Sequence, residues 1–84
     1  MQYVYVLQSV KDGGLYTGCT LDLKKRLGLH NAKKVPATAK RTPLKLIHYE
    51  AFTHPKDAFE REQYLKTQWG RNYIRKALRH FFNS

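Results

Sequence analysis

Residues 3–19, YVYVLQSVKDGGLYTGC, decide the fold. Two runs rich in β-branched and aromatic side chains, 3–8 and 15–19, flank the KDGG at 11–14, and Asp-Gly between such runs signals a tight hairpin. With Asp12 and Gly13 as the two turn residues, positions 5, 7, 9, 16, 18 and 20 fall on one face, so Tyr5 and Tyr16 share it. A loop longer by one residue would split them. Taken singly, each tyrosine reads equally well as an ordinary strand residue packed in a core.

Downstream, Thr20 is placed to cap a helix over residues 21–31, in which Leu23, Leu27 and His30 recur at helical spacing. Arg26 and His30, four apart, share a neighbouring face, setting a forked phosphate donor beside a titratable ring; by itself that pair also fits a solvated basic face. Residues 32–43, AKKVPATAKRTP, carry two prolines, four basic residues and no periodicity, and read as a mobile basic loop close to substrate. Residues 44–51 alternate as a third strand, with Leu44, Leu46 and His48 on one face and Lys45, Ile47 and Tyr49 on the other.

A second helix starts near Thr53 or His54, with Pro55 in its first turn and Asp57 at the positive end of its dipole, and Gly70 is read as its C-terminal cap. Asn72 then caps a third helix whose apolar stripe is Ile74, Ala77, Leu78 and Phe81, with Arg75, Lys76 and Arg79 outside. The order ββαβαα predicts an α+β (mixed α/β) fold: a small three-stranded antiparallel sheet flanked by three helices, one domain over residues 1–84.

Sixteen Lys and Arg against six Asp and Glu give a net charge of +10, which calls for an anionic partner, and nucleic acid leads. The basic residues are scattered rather than gathered on one amphipathic helix, which argues against a membrane surface. No apolar run approaches the ~20 residues of a membrane span, and the N-terminus does not read as a signal peptide, so the expected location is cytoplasmic. Cys19, the only cysteine, reads as a small buried strand residue.

The second helix holds the sharpest conflict between pattern and residue type. At about 100° per residue, Ala58, Phe59, Glu62, Leu65, Lys66 and Trp69 share an arc, which seats Glu62 between Trp69 and Phe59. A pair with Lys66 one turn on contributes only ~0.2–0.5 kcal/mol, little against the cost of burying a carboxylate. A single ligand for a hard cation at a phosphate site is the natural role for such a residue. His48, His54 and His80 lack convergent partners and read as surface or strand residues.

Together the motifs resemble the GIY-YIG endonuclease family. YVY at 3–5 and YTG at 16–18 stand where that family has its two name motifs, with Tyr3, Val4 and Thr17 departing from them. LDLKKRLGLHN at 21–31 resembles the helix with its arginine and histidine, LKLIHYEAF at 44–52 the third strand, and AFEREQYLK at 58–66 the helix with its glutamate. The resemblance implies a metal-dependent endonuclease with Tyr5, Tyr16, Arg26, His30 and Glu62 as catalytic residues and Glu62 holding Mg²⁺ or Mn²⁺. It leaves open which tyrosine serves as base: Tyr5 aligning water with His30 and Tyr16 contacting phosphate is the favoured order. Asn72 is the nearest residue to an asparagine that some members carry after the glutamate helix, and it reads equally well as a helix cap.

The expected substrate is DNA, with RNA as the alternative, selected by shape or by a partner protein because no separate recognition domain is present. Lys25, Lys33, Lys34, Lys40, Arg41, Lys66, Asn72, Arg75 and Arg79 are the expected nucleic-acid contacts. The competing reading is a non-catalytic nucleic-acid-binding module of the same fold.

Overall fold

A computed structural model describes residues 1–84. Its elements are β1 (Gln2–Ser9), β2 (Leu15–Thr20), α1 (Leu23–Asn31), β3 (Leu44–Phe52), α2 (Pro55–Leu65), α3 (Gln68–Ala77) and the short α4 (Arg79–Phe82). The fold is α+β, a three-stranded antiparallel sheet in the order β2-β1-β3 with four helices; the third helical segment divides at Leu78.

β1 lies in the middle and is covered on both faces, so its alternate residues feed two cores. Val4 and Val6 meet Ala58, Leu65 and Ile74 of α2 and α3. Tyr5 and Leu7 meet Leu44, with Tyr16, Leu23, Leu27 and Leu46 packed around them on the α1 face.

The hairpin turn is longer than the two-residue reading. Tyr5 pairs with Gly18 and Leu7 with Tyr16, a register two residues away from the expected one. Ser9 causes the shift: its carbonyl accepts the Gly13 N–H, its N–H donates to the Gly14 carbonyl, and its hydroxyl accepts the N–H groups of Lys11 and Asp12. Gly13 supplies the positive φ of 75° that this wider turn needs. Because side chains alternate with period two, a two-residue shift leaves Tyr5 and Tyr16 on the same face.

Other local expectations change. Asp22, not Thr20, caps α1 by accepting the Lys25 N–H; the Thr20 hydroxyl instead accepts the Asp22 N–H in the turn before it. Gly70 lies inside α3 rather than capping α2. A β-carbon there would run into the backbone of Tyr64 and Leu65, so glycine lets α3 fold back against the end of α2. Thr67 is the cap of α3, accepting the Gly70 N–H, and Asn72 sits mid-helix, accepting a hydrogen bond from Gln68. Along the last two helices Ile74 is buried and Leu78 and Phe82 pack on the core, whereas Ala77 is exposed.

β3 carries a register break opposite Val6 and Leu7, where Ile47 is extra. The bulge returns His48 to the face of Ile47, beside α2, and moves Tyr49 to the opposite face, so the strict alternation read for this strand fails there. His48 consequently has partners: it and Arg61 of α2 bind Glu50, at 3.0 and 2.9 Å. His54 caps α2, its Nδ1 accepting the Lys56 N–H.

Candidate active site

α1 crosses the Tyr5 face of the sheet and lowers His30, fully buried, onto that tyrosine. The Tyr5 hydroxyl and His30 Nε2 are 2.9 Å apart, and Arg26 Nε donates to the same hydroxyl at 3.4 Å. Tyr16 closes the group, its ring 5.2 Å from the His30 ring and 6.4 Å from that of Tyr5. Gly18, the strand partner of Tyr5, has a steric reason: a β-carbon there would strike the Tyr5 hydroxyl.

His30 Nδ1 lies 2.7 Å from the hydroxyl of Thr38, a buried residue of the 32–43 segment. That segment is therefore held by specific contacts rather than loose. Thr38 and Val35 are buried, Ser9 donates its hydroxyl to the Arg41 carbonyl, and the Asn31 side chain brackets Leu44 through both its N–H and its carbonyl. Sequence reading missed Thr38, since a lone threonine among lysines and prolines carries no periodic signal.

Electrostatics set the resting proton positions. Burial, chiefly, pushes the Tyr5 hydroxyl above its ordinary pKa, and Tyr16 and Glu62 add to this, outweighing the hydrogen bond from Arg26. The neighbouring guanidinium does not lower the tyrosine, because desolvation of a phenolate exceeds its attraction. Burial and then the Arg26 charge hold His30 below its ordinary value. Tyr5 is a phenol and His30 a neutral imidazole at pH 7. Since Arg26 donates to the Tyr5 oxygen, the Tyr5 O–H is free to donate to Nε2, which assigns the ring proton to Nδ1 and directs it to Thr38.

Glu62 is 14% exposed and pairs with Lys66 at 3.3 Å. Its expected neighbours are not there: Phe59 is 59% exposed, and Trp69, 77% exposed, belongs to α3, so a single helical wheel did not apply. Ala58 and Leu65 are the buried residues of α2 around it. No group of three His, Cys, Asp or Glu side chains converges anywhere. The one hard oxygen donor at the site fits a Mg²⁺-type ion, which usually takes one or two carboxylates and completes its shell with water and substrate phosphate.

Between β2 and the α2–α3 corner lies a cleft of about 280 Å³, walled by Tyr16 and lined with Arg41, Lys66 and Arg71. Two of these cations were expected contacts, and Arg71 was missed because nothing local separates it from the other basic residues of its helix. Lys25 lines a shallow depression with Arg26 at the start of α1. Lys33, Lys34 and Lys40 are exposed on the 32–43 segment. Asn72 is exposed; Arg75 lies 5.3 Å from the Phe82 ring and Arg79 binds the Lys76 carbonyl, and none of these three lines the cleft. No helix is long and apolar enough to cross a membrane.

The GIY-YIG catalytic domain profile matches residues 1–75. A UPF0213 protein of Clostridium perfringens is 43% identical over 67 residues, which cover 79% of this chain and 71% of the relative. A UPF0213 protein of Streptococcus agalactiae is 45% identical over 65 residues, 76% of this chain and 73% of the relative. One of Streptococcus pyogenes is 48% identical over 65 residues, 76% of this chain and 70% of its own length. No solved structure gives a significant match.

Proposed function

Since the chain belongs to the GIY-YIG catalytic-domain family, a nuclease type whose substrate is nucleic acid, we propose that it is a metal-dependent DNA endonuclease. The whole of residues 1–84 acts as one domain, and cleavage is directed by substrate shape or a partner rather than by base sequence. The observation that supports it most is the Arg26–Tyr5–His30–Thr38 chain of hydrogen bonds, buried at its Thr38 end, with the Tyr16 ring packed against His30. A module that only bound phosphate would have no use for a buried neutral histidine joined to a phenol, nor for a half-buried carboxylate beside it.

In the proposed reaction a water attacks the phosphorus while giving its proton to the Tyr5 oxygen, and the Tyr5 proton passes to His30 Nε2. The Tyr5–His30 pair thus acts as a general base without a free phenolate, which answers the difficulty of a tyrosine whose pKa lies above its usual value. Thr38 fixes the ring that receives the proton. Arg26 offsets charge growing on the phosphate oxygens, and Tyr16 contacts the phosphate. Glu62 holds Mg²⁺ or Mn²⁺, and when bound the ion supplies charge stabilisation to the leaving 3′-oxygen. Lys25, Lys33, Lys34 and Lys40 hold the backbone without reading bases, as do Asn72, Arg75 and Arg79 further along the chain. The single cysteine and the basic charge suit work on nucleic acid in the reducing cytoplasm.

A plasmid-nicking assay with Mg²⁺, run beside binding measurements on plasmid, branched and single-stranded DNA and on RNA, tests the proposal. Glu62→Ala should abolish product while DNA binding stays within about threefold of the parent chain. Loss of both activities, or of neither, would count against the assignment, and a salt-dependent shift without product from the parent chain would favour the pure binding module.

A further inference from the structure

The nuclease proposal uses Tyr16 but leaves the cleft on its other side without a task. That cleft is built from three separated parts of the chain: Arg41 from the 32–43 segment, Lys66 at the end of α2, and Arg71 in α3. Two of the three side chains are held by contacts. Arg41 has its carbonyl bound by the buried Ser9 hydroxyl and its guanidinium laid across Gly14, with Nε 3.6 Å from Asp12. A β-carbon at Gly14 would collide with that guanidinium, so the glycine at the end of the turn makes room for a cation rather than for backbone strain. Lys66 is shared with Glu62, and the Arg71 guanidinium makes neither a hydrogen bond nor an ion pair within the protein, its backbone N–H alone bonding to the Thr67 carbonyl.

Three cations face one cleft against two carboxylates, Asp12 and Glu62, each already engaged by one of them. A folded chain gains nothing by converging like charges on a concave surface, where low-dielectric walls strengthen their repulsion, unless an anion is to enter. We propose that this cleft is a second phosphate subsite, separate from the one that takes the scissile group. It receives a neighbouring phosphate of the nucleic acid, with Arg41 and Arg71 as its paired guanidinium donors and Lys66 as the cation between it and Glu62. The chemistry recognised is a nucleic-acid phosphate, from an internal phosphodiester or from a strand end. The subsite fixes where the strand lies across Tyr16 and hence which bond meets Tyr5 and His30. This inference deepens the nuclease reading and rests on it.

Binding and cleavage are tested apart. In a Glu62→Gln background, short duplexes with and without a 5′-phosphate are titrated at several salt concentrations. Arg71→Gln and Arg41→Gln should each weaken binding about five- to tenfold and lower the slope of log affinity against log salt by about one. Because both contact the same phosphate, the double variant should lose clearly less than the product of the single losses. Losses confined to the 5′-phosphorylated duplex identify a strand end as the source, and equal losses identify an internal phosphodiester. Unchanged affinity in either single variant, or strictly multiplicative losses, would overturn the subsite. In the Glu62-bearing chain the same variants should raise KM and shift the cut position. Intact subsite binding with no cleavage by the parent chain would sink the nuclease reading alone.

Discussion

The Tyr5 hydroxyl lies 2.9 Å from His30 Nε2, although the two residues are 25 apart in sequence. One stands in the central strand and the other in the last turn of α1, and the contact ties the sheet to that helix through the side chains of two buried residues. Replacing Tyr5 by Phe keeps the ring and removes the only partner shared by Arg26 and His30. Cleavage should fall about 10²- to 10⁴-fold, while stability falls by about 1–2 kcal/mol. The Tyr16 hydroxyl has no protein partner, so Tyr16→Phe should melt like the parent chain and lose activity mainly through KM; nicking kinetics beside thermal melts check both.

Thr38→Val is close in shape and takes away the partner of His30 Nδ1. A loss of about 1–3 kcal/mol follows from leaving a buried ring nitrogen unpaired. The rate should drop through kcat with KM little changed, and Thr38→Ser should restore both. A variant that melts earlier yet cuts at the parent rate would show that Thr38 serves packing alone.

The lowered pKa of His30 predicts the acid behaviour. Above pH 6.5 the ring is neutral in both folded and unfolded chains. Below that value the unfolded chain takes up the proton first, so folding stability declines as pH falls, and the decline is complete once pH has passed through the lower pKa of the folded state. Activity should follow the same limb, since a protonated ring cannot accept from Tyr5. A kcat/KM profile from pH 8 to 5, with melts over the same range, reads this directly. His30→Gln should flatten the stability limb.

Gly18 and Gly70 should respond differently to alanine. At Gly18 the added methyl meets the end of the Tyr5 side chain, which can swing aside only by leaving His30, so cleavage should fall tenfold or more with a modest drop in Tm. At Gly70 it meets the backbone of Tyr64 and Leu65, which cannot yield without parting α3 from α2, and a loss above about 2 kcal/mol is expected. Denaturant melts and nicking assays on the two variants separate the cases.

Lys33 has a left-handed φ of 62° in the turn that closes α1, where the Lys33 and Lys34 N–H groups return to the His30 and Leu29 carbonyls. Glycine is the residue that adopts this conformation without steric cost. Lys33→Gly should therefore raise stability by about 0.5–1 kcal/mol. Its nucleic-acid affinity should weaken slightly at low salt from the lost charge, both measurable by melting and titration.

What was legible in the sequence were relations set by covalent geometry over short spans. The period of two in a strand put Tyr5 and Tyr16 on one face and kept them there through a register shift of two. The turn of a helix put Arg26 and His30 side by side, and the mismatch of Glu62 with its apolar neighbours survived the loss of two of those neighbours to solvent or another helix. What only the tertiary structure decided were relations between segments whose local signals are silent about each other: Thr38 beneath His30, Arg71 and Arg41 lining one cleft, Gly70 against the backbone of α2, and the β3 bulge that gave His48 to Glu50. The reason is physical. A side chain's own neighbours along the chain fix its direction, but its partner, its burial and therefore its pKa depend on which distant surface packs against it.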